Sequence, residues 1–288
     1  MIKRITCLCL LVSSLVTGLV QAAVHHERYP STSGRSPSAT VMLIHGWSCD
    51  STYWSAQLDA LREHFEVITI DLAGHGQSPA MRTNFSMASF GRDVADVVAQ
   101  LPADQSLVLV GHSMGGPVAV EAAVLLGERV RGVIGVDTFA SIGLPKPSQA
   151  ENAARLAAFE RDFSGTTRAF VSQSFFRPDA DPVLRERIAN DMASADPKVA
   201  LAAIQGLNDW DGTQRLPLLK QPIATINADQ VPVDESKLQG YAPSFRLITL
   251  AGQGHFLMME NPARFNPVLI ETIRGMLGDQ RAEVSASR

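Results

Sequence analysis

Short, continuously apolar runs alternate with segments of helical periodicity over much of the first half of the chain. The apolar runs cover residues 40–44, 67–71, 107–110 and 130–137. Runs of this length without polar alternation are typical of strands that helices cover on both faces. Amphipathic segments at residues 54–65 and 87–101 lie between them. The alternation predicts an α/β domain with a doubly wound, mostly parallel sheet.

The pattern changes between residues 141 and 210, where the periodicity is helical and prolines supply the breaks. The candidate helices of this block are residues 148–163, 166–176, 182–194 and 197–207. Strand character resumes at residues 223–227 and 245–250. We therefore expect a core of residues 23–140 and 211–288. Residues 141–210 are expected to be inserted as a helical cap over the active site that the motifs below predict. The alternative is a helical layer on one flank with no role in substrate binding.

The first residues have the pattern of a secretory signal peptide. A basic start, Met1-Ile2-Lys3-Arg4, precedes an apolar run from residue 5 to residue 20 and the small-residue exit Val20-Gln21-Ala22. A signal peptidase recognises these three regions together. We expect residues 1–22 to be removed, by cleavage after Ala22 or Ala23, and the protein to be exported to the periplasm or secreted. An uncleaved membrane anchor is the alternative.

Composition narrows the class of partner. Of the 288 residues, 45% are hydrophobic and 19% are charged, which is an ordinary globular balance. Removal of Lys3 and Arg4 with the signal leaves 23 basic residues against 29 acidic ones, a net charge of −6. No basic patch favours a nucleic-acid partner, and we expect no stable membrane association after cleavage. Cys49 would be the single cysteine of the mature chain, so we expect no internal disulfide.

The sequence Gly111-His112-Ser113-Met114-Gly115 carries the strongest chemical signal. It matches G-x-S-x-G and lies between an apolar run that ends at Val110 and a segment of small, helix-compatible residues. A strand that enters a helix through such a turn is the context of a nucleophile elbow, in which the serine has a strained backbone and an exposed hydroxyl. We therefore expect Ser113 to be a nucleophile.

Two further turns follow predicted strands and supply other groups that acyl transfer needs. His255, in Gly252-Gln253-Gly254-His255-Phe256, follows the last strand and is the candidate general base. The turn His45-Gly46-Trp47-Ser48 follows the strand at residues 40–44. We expect the backbone N–H groups of Trp47 and Met114 to stabilise the oxyanion that develops on a carbonyl oxygen.

Two aspartates compete for the role of the carboxylate that orients the histidine. Asp229 follows the strand at residues 223–227, and Asp137 ends the strand that comes after the elbow helix. Both satisfy the chain order serine, acid, histidine, and the strand position favours Asp229. Asp137 is kept as the alternative acid, and Asp234 is a more distant one.

Aromatic residues of the helical block predict an apolar pocket above the serine. We expect His45, Phe159, Phe163, Phe176 and Phe256 to line it, with Phe170, Phe175, Met192 and Met258 as further candidates. The alternative is that aromatics at helical spacing are simple core. The adjacent pair His25-His26 lies near the expected new N-terminus, where such pairs are usually exposed rather than metal-binding. We expect neither a metal nor a cofactor.

Together these motifs resemble the α/β-hydrolase superfamily, in the capped branch that includes small esterases, lactonases, cofactor-free haloperoxidase-like enzymes and C–C bond hydrolases. The matching segments are His45-Gly46-Trp47, residues 71–78, residues 111–116, Gly254-His255-Phe256 and Glu260-Asn261-Pro262. After the penultimate strand the family usually has an Asp-x-Asp pattern, where this chain has the single Asp229. The resemblance implies the α/β-hydrolase fold with an inserted helical cap and a Ser-His-Asp triad.

The resemblance also implies a reaction class. Related dehalogenases and epoxide hydrolases attack with a carboxylate, whereas Ser113 implies an acyl-enzyme formed from a small-molecule carboxylic ester or lactone. A perhydrolase or a C–C hydrolase would use the same triad, so these activities stay open. A ligand-binding or signalling protein on a hydrolase fold, with little turnover, is the alternative from another class. The oligomeric state also stays open.

Overall fold

A single sheet organises the part of the chain that the computed structural model describes, residues 24–34 and 39–278. The predicted signal peptide lies outside the described residues. Within them, the strand order is β1-β3-β2-β4-β5-β6-β7, with β1 antiparallel to β3 and every other pair parallel. The strands are β1 His26–Tyr29, β2 Thr40–Ile44, β3 Glu66–Ile70, β4 Leu107–His112, β5 Val130–Val136, β6 Ile223–Ala228 and β7 Arg246–Leu250.

Helices cover both faces of this sheet, which is why β2 and β4 are buried along their whole length. The α-helices are α1 Ser55–Arg62, α2 Met87–Val98, α3 Gly115–Leu126, α4 Gln149–Arg161, α5 Phe163–Ser174, α6 Pro182–Met192, α7 Pro197–Asp209, α8 Gly212–Arg215, α9 Glu235–Gln239, α10 Leu257–Glu260 and α11 Pro262–Leu277. In the two layers α2 packs against α3, and α1 packs against α11. The structure thus confirms the predicted doubly wound, mostly parallel sheet.

Helices α4 to α7 lie between β5 and β6 in the chain, and local sequence signals set where they begin. Ser148 starts α4 with a capping box to Glu151. Prolines occupy the first turn of α6 and α7, which begin at the predicted Pro182 and Pro197. The start of α5 is earlier than the predicted residue 166, because the Asp162 side chain accepts a hydrogen bond from the Gly165 N–H and caps the helix there.

Polar contacts tie the helical block to the core. The Trp47 indole N–H donates to the carbonyl of Ala200 on α7 at 2.8 Å. The Tyr53 hydroxyl donates to the carboxylate of Asp191 on α6 at 2.6 Å. Both bonds join the turn after β2 to the block, so α6 and α7 sit over the end of the sheet that carries this turn. No helix within residues 24–34 and 39–278 is both long and apolar enough to cross a membrane.

Candidate active site

Ser113 lies in a sharp turn between β4 and α3. Its φ is +50°, a left-handed conformation that is strained for a residue with a side chain. The Ser113 N–H donates to the Val136 carbonyl at 2.9 Å, and the Thr138 hydroxyl donates to the Ser113 carbonyl at 2.9 Å. A Cβ on Gly115 would lie 2.5 Å from the Ile44 carbonyl oxygen, so only glycine fits there. The sequence thus builds the strained serine turn that the motif predicts.

The imidazole of His255 contacts the carboxylate of Asp137. Nδ1 of His255 lies 2.6 Å from Oδ2 of Asp137, and the other oxygen, Oδ1, accepts the Ala228 N–H at 2.8 Å. An ionised carboxylate can only accept, so Nδ1 carries the proton and Nε2 has a free lone pair. Both side chains are largely buried. In this tautomer the imidazole can take a proton at Nε2.

The prediction that Asp229 contacts His255 is wrong. Oδ1 of Asp229 accepts the Gly252 N–H at 3.0 Å and lies 3.3 Å from Nη1 of Arg177, which lies between α5 and α6 in the helical block. Its side chain is 39% exposed, against 17% for Asp137. The alternative acid, Asp137, is the carboxylate that meets His255.

The register of the sheet explains this correction. Strands β4, β5 and β6 are neighbours, with Val136 of β5 opposite His112 of β4 and opposite Ile226 of β6. Ser113 and Asp137 each come one residue after this row, so they lie side by side. Asp229 comes three residues after the row and one strand further away. It therefore reaches Gly252 of the histidine loop, residues 252–256, instead of the imidazole.

The corresponding position on β6 is Asn227, whose role the sequence did not indicate. Its side-chain amide donates to the Thr138 carbonyl at 2.9 Å, and its amide oxygen accepts the Thr138 N–H at 3.3 Å and the Thr225 hydroxyl. Asn227 thus holds the backbone directly after Asp137, whose φ is +45°. A polar residue at the end of an otherwise apolar strand is the signal that points to such a role.

The turn after β2 lies against the serine. A Cβ on Gly46 would lie 2.9 Å from Nδ1 of His112 and 3.3 Å from Cβ of Ser113, so glycine at this position permits the close approach. Trp47 and Met114 are buried, and their backbone N–H groups have no hydrogen-bond acceptor among the described residues. Two free N–H groups on turns that flank the serine are what an oxyanion hole needs.

His45 braces this turn and does not line a pocket, contrary to the expectation. It is fully buried, its Nδ1–H donates to the Gly46 carbonyl at 2.8 Å, and its Nε2 accepts the Leu72 N–H at 3.0 Å. Both ring nitrogens are therefore used inside the core. Burial lowers the pKa of His45, which keeps the ring neutral.

The aromatic side chains of the helical block form a continuous cluster with Trp47, His255 and Phe256. Phe159 and Phe163 contact the Trp47 ring edge-on, with centroids 5.8 and 6.3 Å away. Phe176 stacks on Phe256 at 5.6 Å. The cluster continues through Phe170 to Phe175, which stacks on His255. The structure thus brings the predicted aromatic residues together between Trp47 in the turn after β2 and His255.

Two residues that the sequence did not assign hold the backbone around His255. Glu260 accepts the Gly254 N–H at 2.9 Å and the Phe256 N–H at 3.2 Å, one through each carboxylate oxygen. Burial raises the pKa of Glu260. His112 donates from Nε2 to the His255 carbonyl at 2.9 Å, and burial lowers its pKa well below the ordinary value. The histidine loop is thereby fixed from two directions.

Residues 24–34 and 39–278 contain no group of three or more histidine, cysteine, aspartate and glutamate side chains that could hold a metal ion. Nε2 of His25 lies 3.5 Å from Oε1 of Glu27, and the His25 side chain is partly exposed. Cys49 is a free, buried thiol.

Comparison with known proteins agrees with the fold. The profile of the alpha/beta hydrolase family matches residues 41–268. The chain is 29% identical over 235 residues to the biotin biosynthesis bifunctional protein BioHC of Cellvibrio japonicus, which covers 77% of this chain and 45% of that protein. It is 27% identical over 193 residues to the pimeloyl-(acyl-carrier protein) methyl ester esterase of Aliivibrio salmonicida, which covers 65% of this chain and 72% of the esterase.

A solved structure gives the same result in three dimensions. A thermophilic esterase from Thermogutta terrifontis superposes with a TM-score of 0.75 at 26% sequence identity, over 88% of this chain and 93% of that one. These likenesses confirm the resemblance that the motifs indicated. The chain belongs to the alpha/beta hydrolase family, and its named relatives place it among the hydrolase enzymes.

Proposed function

We propose that this protein is an exported serine hydrolase that cleaves a small carboxylic ester or lactone through an acyl-enzyme. The observation that carries the proposal is the 2.6 Å contact between Nδ1 of His255 and Asp137, at the strand end beside the strained Ser113 turn. Similarity to a methyl ester esterase and to a thermophilic esterase supports an ester as the substrate.

The first half of the reaction acylates Ser113. Its hydroxyl oxygen attacks the substrate carbonyl carbon while Nε2 of His255 takes the hydroxyl proton. The negative charge that develops on the carbonyl oxygen is stabilised by the backbone N–H groups of Met114 and Trp47. The imidazolium that forms is stabilised by the carboxylate of Asp137. Collapse of the tetrahedral intermediate breaks the C–O bond, and the imidazolium returns the proton to the departing alcohol oxygen.

The second half releases the acid. A water molecule gives a proton to Nε2 of His255 and attacks the acyl carbon, which re-forms the oxyanion in the same N–H pair. Collapse then expels the Ser113 oxygen, which takes the proton back from the imidazolium. With a lactone, the alcohol stays attached to the acyl group and leaves with it in this step.

Covalent labelling of the exported protein tests the proposal. The chain is expressed with residues 1–22 in a bacterial host, and the N-terminus of the periplasmic or secreted form is sequenced. We expect it to begin at Ala23 or Val24 and to react with a fluorophosphonate at Ser113. Ser113→Ala should abolish labelling and lower kcat/KM on short p-nitrophenyl esters by at least about 1,000-fold.

The matched control is Ser141→Ala, which changes an exposed serine of the loop after β5. It should keep both labelling and turnover. Ester turnover that survives in Ser113→Ala would sink the serine mechanism. Tight binding of an ester with less than one turnover per protein would favour the ligand-binding alternative. Retention of Met1 on a cytoplasmic protein would contradict export.

A further inference from the structure

We propose that Phe175, at the end of α5, is a positioning residue for His255, so that docking of the cap and placement of the catalytic base are one event. The inference rests on the proposed function. Phe175 makes two contacts with the histidine. Its carbonyl accepts the His255 N–H at 2.8 Å, and its ring stacks on the imidazole with centroids 4.3 Å apart and planes at 28°.

The backbone of His255 is held from opposite sides by the core and by the cap. Its carbonyl accepts from His112 on β4, and its N–H donates to Phe175 of the cap. A backbone N–H that loses its partner in a buried site costs free energy. A Cβ on Gly254 would lie 2.7 Å from the Phe175 carbonyl oxygen, so glycine at this position permits the approach.

The ring contact adds a second constraint, on the side chain. Hydrogen bonding by Asp137 fixes one edge of the imidazole but leaves it free to tilt about that bond. A near-parallel ring against its face limits this tilt. The negative face of an aromatic ring also attracts the imidazolium that forms during acylation. Displacement of a reacting group by about 1 Å lowers rates by about 100-fold, so a modest tilt matters.

A nearby ion pair also joins the end of α5 to the histidine loop, but it is weaker than the Phe175 contacts. Arg177, two residues after Phe175, pairs with Asp229, which accepts the Gly252 N–H of the histidine loop. Arg185 on α6 donates to the Arg177 carbonyl at 2.7 Å and steadies this part of the cap. The Arg177–Asp229 pair is partly exposed, and exposed pairs contribute little. The Phe175 contacts therefore carry most of the coupling.

Substitution of the ring tests the proposal, because every variant keeps the backbone carbonyl. Phe175→Leu removes the flat face but keeps apolar volume, and Phe175→Tyr keeps the face. For a short p-nitrophenyl ester we expect Phe175→Leu to lower kcat by 10- to 100-fold with KM changed less than threefold. Phe175→Tyr should restore kcat to within threefold of the wild-type value. The downfield proton resonance of His255 Nδ1–H should persist in Phe175→Tyr and broaden in Phe175→Leu.

Val171→Ala is the matched control, since Val171 is a fully buried residue of α5 one turn earlier. It should destabilise the cap and leave kcat within threefold. An equal loss of kcat in Val171→Ala, or a kcat within twofold of wild type in Phe175→Leu, would overturn the positioning role. If Phe175→Leu does not fold, Phe175→Met replaces it with the same expected result. A wild-type protein without ester turnover would instead overturn the proposed function.

Discussion

Ser48, Ser113 and Asp137 adopt a left-handed backbone without being glycine, and all three lie in the turns that form the site. Such a conformation costs on the order of 1–3 kcal/mol per residue and persists only where the surroundings enforce it. At Ser113 the enforcing contacts come from Val136 and Thr138. At Asp137 they come from Ile226 and Ala228 on β6. Single residues of the site are thus held by the strand next to their own.

The Asp137 carboxylate gives a sharp prediction at this scale. In Asp137→Asn, the Ala228 N–H holds the amide oxygen, so the amide NH₂ faces Nδ1 of His255. Nδ1 must then be the acceptor and the proton moves to Nε2, where the base is needed. We expect kcat to fall by about 100- to 10,000-fold with little change in KM, as steady-state kinetics would show.

Asp229→Asn is the control for this prediction. Its amide oxygen can still accept the Gly252 N–H, and only a partly exposed ion pair with Arg177 is lost. We expect kcat within about threefold of wild type. The reverse order of effects, with Asp229→Asn the slower enzyme, would show that the apparent acid is the wrong one.

Local sequence was sufficient to single out Ser113 and His255 and insufficient to choose the acid. The glycines around the serine dictate its turn by themselves, because a Cβ on Gly111 would clash with the Gly115 carbonyl oxygen in the same turn. The choice between Asp137 and Asp229 depends on which strands are neighbours and in which register, and chain order does not contain this information. Glu260 and Asn227 were missed for the same reason.

Elements followed the sequence closely wherever a cap or a periodic pattern defined them. The prolines located the starts of α6 and α7, and continuous apolar runs located β2 and β4. The sequence did not predict which elements pack against one another. The clearest case is Glu121 on α3, which is buried and pairs in bidentate fashion with Arg215 of α8 at 2.7 Å. Glu121 also accepts the Trp210 indole N–H at 2.8 Å.

Loss of Arg215 should destabilise the contact between α3 and α8 more than loss of Glu121. Arg215→Met leaves a buried carboxylate without its cation, and we expect the free energy of unfolding to fall by about 3 kcal/mol. Glu121→Gln leaves a partly exposed guanidinium and keeps an acceptor for Trp210, so about 1–2 kcal/mol is expected. Chemical denaturation measures both values.

A surface pair supplies the reference. Nη2 of Arg28 lies 2.5 Å from Oε1 of Glu66, but the Arg28 side chain is 46% exposed. Arg28→Met should therefore lower the free energy of unfolding by less than about 1 kcal/mol. Equal losses for Arg28→Met and Arg215→Met would mean that burial of Glu121 contributes nothing to the docking of α8 on α3.

The whole molecule should lose stability in mild acid, because it buries neutral histidines. Burial lowers the pKa of His45 and of His112, and it lowers the pKa of His75 to about 3. A histidine whose folded pKa lies below the unfolded value takes up its proton first in the unfolded chain. Its contribution is therefore complete above pH ~6.5 and is lost as the pH falls toward the folded pKa.

The expected slope is up to about 1.4 kcal/mol per pH unit for each such histidine. Denaturant unfolding of the wild type and of His75→Phe between pH 7 and pH 4.5 measures it. The rings of His75 and Phe90 have centroids 5.7 Å apart, so a phenyl ring can replace the imidazole in this aromatic contact. We expect the variant to have the flatter profile. Parallel profiles would show that His75 does not titrate in this range, since buried carboxyl groups such as Glu260 contribute equally to both proteins.

The position of the acid on β5 has a consequence for how such a protein changes over time. The segment after β6, residues 229–234, carries no group of the proton relay, and its Asp229 links the cap to the histidine loop instead. Substitutions and length changes there leave the acid itself in place, but any that shift the helical block also shift Phe175 and therefore His255. Evolution and protein engineering should therefore change substrate access and reaction rate together in this chain.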